Sequence, residues 1–138
     1  VLHGISFGLA IDMASCCDIR ICSKDTKLSV KEVDIGLAAD IGTLSRLPKL
    51  VGSLSWVKEL ALSARIFGAE EALAFGLVSQ VHENKAQSVE AAFKLASLIA
   101  TKCPVAVQGP KDLINHARDN TVADSKAPLA PEAPNVSC

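Results

Sequence analysis

Apolar positions recur along this chain mainly at helical spacing, broken by short runs whose composition and length suit strands. From Leu9 to Cys17 a largely apolar stretch, entered through Gly4 and Gly8 and interrupted by Asp12, predicts a buried helix opened by a glycine turn. Asp18 to Ser23 and Lys27 to Val30 predict short strands, and Glu32 to Gly42, with two glycines and three acidic residues among apolar ones, reads as a loop. Leu44, Leu47, Leu50 and Val51 then return at helix spacing. Gly52-Ser53 supplies a stop and a new N-cap, so Ser53 to Ala64 predicts the next helix. Ala69 to Phe75, closed by Gly76, predicts a third, followed by a strand over Leu77 to Val81 and a longer amphipathic helix over Ser88 to Thr101. Pro104 opens a further helix, expected to kink or restart near Pro110. After Asp124 the apolar period stops, and three prolines in seven residues predict a disordered tail over 125–138, with a proline-recognition ligand as the alternative.

Strands mixed with helices predict an α/β domain over 1–124. At 138 residues, 49% hydrophobic and 21% charged, the chain has the composition of a protein with a packed core. The 14 basic and 15 acidic residues nearly cancel and are interspersed, which argues against nucleic acid or an anionic membrane surface as partner. No apolar run is long enough to span a membrane. The five cysteines form an odd set without CxxC spacing, so they read as reduced thiols and no metal site is expected. The opening Val1-Leu2-His3-Gly4 has neither an initiator Met nor a basic leader and reads as a chain beginning within a domain.

Three carboxylates stand where charge is costly: Asp12 inside an apolar helix, and Glu32 and Asp40 in the glycine-bearing loop. Burial there would ready them for acid–base work. Taken on the residues alone, the first reading is structural, in which Asp12 hydrogen-bonds nearby backbone and the loop acids are solvated. Asp18, Asp34 and Glu83 carry only the structural reading, as does His3 beside Gly4, and His82 and His116 have no partners by spacing. No Gly-x-Ser-x-Gly surrounds Ser6, Ser15 or Ser53, so a serine hydrolase is not supported. The run from Gly4 to Gly8, leading into a helix, could present backbone N–H groups to an anion or oxyanion.

Taken together, His3-Gly4-x-x-x-Gly8 running into Ile11-Asp12, then Cys17-Asp18-Ile19-Arg20, then Val30 through Thr43 resemble the crotonase superfamily. The last run is the specific part and is similar to the Δ3,5-Δ2,4-dienoyl-CoA isomerase branch. Arg46-Leu47-Pro48-Lys49, Ala64-Arg65, Glu71-Ala72-Leu73 and Gly76-Leu77-Val78-Ser79 continue the match in order. The resemblance implies part of a spiral of β-β-α units, corresponding to the family's C-terminal half, with trailing helices. It implies an acyl-CoA substrate whose thioester is polarised by two backbone N–H donors. It further implies Glu32 and Asp40 as an acid–base pair, Asp12 beside them, and Gly8 and Leu9 at the substrate. No cofactor is implied, because CoA is part of the substrate. A hydratase of this superfamily typically has glutamate at the position of Asp12, so isomerase leads and hydratase is the catalytic alternative. Where the family usually has three glycines this chain has Gly8-Leu9-Ala10, which puts a side chain at a donor position. The half that carries the other donor is absent from these residues, so a non-catalytic fragment acting only in subunit interaction stands as a further expectation. The family's trimers or hexamers and its mitochondrial or peroxisomal location are implied in the same way.

Overall fold

The computed structural model describes residues 1–122 and 124, so the expected tail over 125–138 lies outside the described residues. The chain divides into two compact units, Val1–Ala92 and Phe93–Cys138. In the first, strands β1 (Ile5–Phe7), β2 (Ile21–Ser23), β3 (Lys27–Ser29), β4 (Phe67–Gly68) and β5 (Gln80–His82) are interleaved with helices α1 (Leu9–Ser15), α2 (Thr43–Leu50), α3 (Leu54–Ser63) and α4 (Ala69–Ala74). Helix α5 (Lys85–Ala100) runs across the boundary, and α6 (Pro104–Asp119) lies in the second unit. This mixed α/β content agrees with the expectation. Among the described residues, no helix is long and apolar enough to cross a membrane.

Two small sheets organise the first unit. One has the order β1-β3-β4, with β1 parallel to β3 (Ser6 opposite Leu28) and β4 antiparallel to β3. The other pairs β2 with β5 in parallel, Cys22 opposite Val81, and is extended by a parallel bridge between Leu2 and Cys22. Parallel neighbours need a crossover. Between β1 and β3 that crossover consists of α1 and β2, so the chain winds from one sheet to the other and back.

The core gathers Ile11, Cys22, Leu28, Val30, Leu47, Trp56, Leu60, Phe67, Ala72, Leu77 and Val78 from both sheets, from α1 to α4 and from the segments between them. Helix α3 shows how local signals and packing agree. Ser53 Oγ accepts the Trp56 N–H at 3.2 Å as an N-cap, and Trp56, Val57 and Leu60 fall on one buried face. The Trp56 ring stacks on Phe75 at 4.6 Å between centroids and meets Phe67 edge-on at 5.2 Å. Burying such an aromatic group contributes about 2–3 kcal/mol.

The expected boundaries shift where backbone groups find closer partners. Helix α1 ends at Ser15, short of Cys17, because the Cys16 and Cys17 N–H groups bond three residues back, to Met13 and Ala14. Strand β5 begins only at Gln80. Leu77 and Val78 instead donate to Ala72 O at 2.8 and 3.3 Å, closing α4 over Gly76 at φ +80°. Helix α5 starts at Lys85, earlier than Ser88, since Asn84 Oδ1 takes the Gln87 N–H at 3.0 Å. Helix α6 continues through Pro110 without the expected restart, the proline removing one intrahelical bond. Within the expected loop, Glu32–Ile35 forms a 3-10 turn. Cys16 and Cys17 are exposed free thiols and Cys22 is a buried one, in line with the expectation for these three.

Candidate active site

The site begins at Gly8, where β1 turns into α1. Its backbone sits at φ +53°, a region that disfavours side chains, and its N–H donates to Ser29 O at 3.0 Å. That bond ties the start of α1 to the end of β3. The 3-10 turn begins two residues beyond β3, after Val30 and Lys31, and returns the Glu32 carboxyl against Gly8. A Cβ at Gly8 would stand 3.1 Å from Glu32 Oε1, so the bare glycine is what lets the carboxyl approach. Leu9, as the first residue of α1, has an N–H with no intrahelical acceptor, and its side chain is exposed. Of the two residues expected to contact substrate, Gly8 therefore has its donor engaged within the fold, and Leu9 carries the available one.

Asp12 is 2% exposed, one turn into α1. Its Oδ1 accepts the Thr43 N–H at 2.7 Å and lies 3.8 Å from an Arg46 Nη2. It thereby caps α2 from another helix, placing negative charge at a helix N-terminus. Ser15, on the same face of α1, donates its Oγ to Asp12 O at 2.7 Å and accepts the Arg46 Nε–H at 2.9 Å. Each of these contacts leaves Asp12 Oδ2 untouched.

Among the described residues, three buried side-chain polar atoms have no hydrogen-bond partner: Asp12 Oδ2, Glu32 Oε2 and Thr43 Oγ1. Orphaned buried polar atoms are rare and costly, about 1–3 kcal/mol each. Here two of the three belong to the carboxylates singled out from the sequence, and the third to the residue whose N–H one of them binds. Asp40 differs from both. It is exposed, two residues before Gly42, and no hydrogen bond or ion pair joins it to Asp12 or Glu32. The structure brings Glu32 to Gly8 and Asp12 to Thr43, and leaves Asp40 on the turn that leads into α2.

Sequence reasoning missed Thr43, Ser15 and Arg46. Ser15 was legible in principle, three residues from Asp12 and so on its helix face. Arg46 and Thr43 meet Asp12 only through tertiary packing of α2 on α1. The remaining acids behave as surface groups: Asp34 pairs with Lys31 and Glu83 with Lys24. Among the described residues, no group of three or more His, Cys, Asp or Glu side chains is arranged to hold a metal ion. What the arrangement offers is a carboxyl with an unengaged buried oxygen beside the backbone at the head of a helix, suited to moving a proton next to a polarised carbonyl.

Comparison with known proteins shows what the chain is similar to. The profile of the enoyl-CoA hydratase/isomerase family matches residues 1–128. A mitochondrial Δ(3,5)-Δ(2,4)-dienoyl-CoA isomerase of Mus musculus is 51% identical over 124 residues, covering 90% of this chain. The peroxisomal isomerase of Arabidopsis thaliana is 42% identical over 121 residues. The chain spans 38% of the mouse relative's length and 43% of the plant one's. Among solved structures, a Thermobifida fusca protein described as an enoyl-CoA hydratase, in complex with CoA, superposes with a TM-score of 0.81 at 31% identity. The match covers 88% of this chain and 47% of that one. The chain belongs to the enoyl-CoA hydratase/isomerase family and has the crotonase fold over the region that matches.

Proposed function

We propose that the chain carries the acid–base side of an acyl-CoA isomerase site that shifts the double bonds of a 3,5-dienoyl-CoA to the 2,4 positions. The observation that carries this is the Glu32 carboxyl seated against Gly8 with Oε2 buried and unpartnered. In the proposed reaction one carboxylate takes a proton from C2, which the thioester carbonyl acidifies, and a protonated carboxyl delivers one to C6. Electrons shift along the conjugated system and the proton count balances. Glu32 and Asp40 form this pair, Asp12 is the fixed charge beside them, and the Leu9 N–H is one donor to the thioester oxygen. CoA enters as part of the substrate, and no separate cofactor is required. The 51% identity to the mouse isomerase supports isomerase over hydratase, as does aspartate at position 12. The mitochondrial and peroxisomal relatives support location in an organelle of fatty-acid oxidation.

A second reading is a non-catalytic chain acting in subunit association. It is favoured by exposed apolar side chains around the site, Leu9, Met13, Ile35, Leu37 and Ile41. Ultraviolet absorbance of a 3,5-dienoyl-CoA on mixing with the purified chain separates the two, with an enoyl-CoA control and a Glu32→Gln variant alongside. Turnover that disappears in the variant supports the isomerase. Silence from a folded, monodisperse sample contradicts it and leaves the second reading.

A further inference from the structure

We propose that Arg46 is a positioning residue of this site, locking the Asp12 carboxylate and the turn that carries Asp40 into one unit. Three contacts of one guanidinium group support this. Its Nε–H donates to Ser15 Oγ at 2.9 Å, and an Nη2 lies 3.8 Å from Asp12 Oδ1. It also covers Gly42, filling the place where a Cβ would stand. Gly42 lies at φ +146° and heads α2, its carbonyl accepting the Ser45 and Arg46 N–H groups at 3.1 and 2.9 Å. A side chain there would meet both a strained backbone and the guanidinium, so the glycine and the arginine belong to one device.

The fork geometry decides what each atom does. A planar guanidinium can bond Ser15 while holding its charge near Asp12, and Ser15 passes the constraint on through its bond to Asp12 O. Asp12 Oδ1 is then fixed between Arg46 and the Thr43 N–H, which leaves Oδ2 as the oxygen that meets the site. Asp40 precedes Gly42 by two residues, so the same cation that fixes Asp12 also fixes the end of Asp40's turn. The side chain of Arg46 is 28% exposed against 3% for Asp12, so the pair is a shielded anion with a cation at its rim.

The inference rests on reading Asp12 and Asp40 as site residues, and its test is structural, so its failure is distinguishable from a failure of turnover. Amide hydrogen exchange at Thr43, with strand amides of β2 and β5 as internal reference, is compared among wild type, Arg46→Lys and Arg46→Gln. Urea unfolding of Asp12→Asn, Arg46→Gln and the double variant completes a cycle. We expect Thr43 exchange to accelerate roughly tenfold in Arg46→Gln, the scale of a lost charge-assisted interaction. Arg46→Lys restores the charge without the fork and falls between. The double variant is expected to be no less stable than Arg46→Gln alone, because asparagine leaves no unpaired buried charge. Where Arg46→Gln does not fold, Thr43 exchange in Arg46→Lys decides alone. Thr43 exchange equal to wild type in the lysine variant, or additive losses in the cycle, overturns the proposal.

Discussion

Two carboxylate–arginine clusters lie in the first unit, and they treat their carboxylates oppositely. Around Glu71 every oxygen is engaged: Oε1 accepts the Trp56 Nε1–H at 2.7 Å and an Arg65 Nη2–H, and Oε2 accepts Arg65 Nη1–H at 3.0 Å. Arg65 is further held by Glu59, its Nε donating at 2.6 Å. Around Asp12 and Glu32, each carboxylate keeps one buried oxygen without a partner. A protein can satisfy such groups, as Glu71 shows, so an unengaged buried oxygen on each of these two carboxylates is not accounted for by stability. The satisfied cluster ties α3 to α4. The unsatisfied oxygens belong to Asp12, between α1 and α2, and to Glu32 of the 3-10 turn, whose carboxyl lies against Gly8.

The contrast breaks most sharply at Glu32. If the chain turns over a dienoyl-CoA, Glu32→Gln is expected to lower kcat by roughly 10²–10⁴, the contribution of a positioned acid or base, measured by absorbance at saturating substrate. Next comes Gly8→Ala, which forces a side chain into φ +53° and to 3.1 Å from Glu32 Oε1. A loss of about 1–3 kcal/mol in urea unfolding is expected, with the carboxyl displaced. Glu71→Gln leaves Arg65 without its main anion and is expected to cost about 1–3 kcal/mol by the same measurement.

The pH dependence sharpens the same comparison. The Arg65 guanidinium, helped by the Trp56 N–H and opposed by burial, holds the Glu71 carboxyl below the usual range. A pKa lower in the folded than in the unfolded chain means the stabilisation is complete above the unfolded value and is lost as pH falls through the folded one. Wild type is therefore expected to lose stability on acidification through that window, and Glu71→Gln to show a shallower loss. The smallest effect is expected from Glu83→Gln at the exposed pair with Lys24, where melting should not change measurably.

Much of this fold was legible from residue order, and the limits have physical causes. Helices α2 to α4 followed from periodic apolar positions, and the Gly52-Ser53 stop and cap appears as written. Strand β4 is only two residues long, and the three of β1 sit between Gly4 and Gly8, so the segment reads as a glycine turn. Leu77 and Val78 have strand composition, but bonding of their N–H groups to Ala72 O decides otherwise. At the site, Asp12 and Glu32 were identifiable because charge among apolar neighbours demands a reason, and both prove to hold orphaned atoms. Asp40 was singled out on the same ground, and in the structure it is exposed, with no hydrogen bond or ion pair to either. Arg46 gave no local signal, since a basic residue on a helix is ordinary until packing sets it over Gly42.

The most direct test of whether Glu32 is held for chemistry is to compare urea unfolding midpoints of Glu32→Gln and Glu71→Gln side by side. Neutralising a carboxylate whose buried oxygen has no partner removes a destabilising group, so Glu32→Gln is predicted to be at least as stable as wild type while Glu71→Gln is weakened. A Glu32→Gln variant destabilised as much as Glu71→Gln would contradict the account and make Glu32 a structural residue.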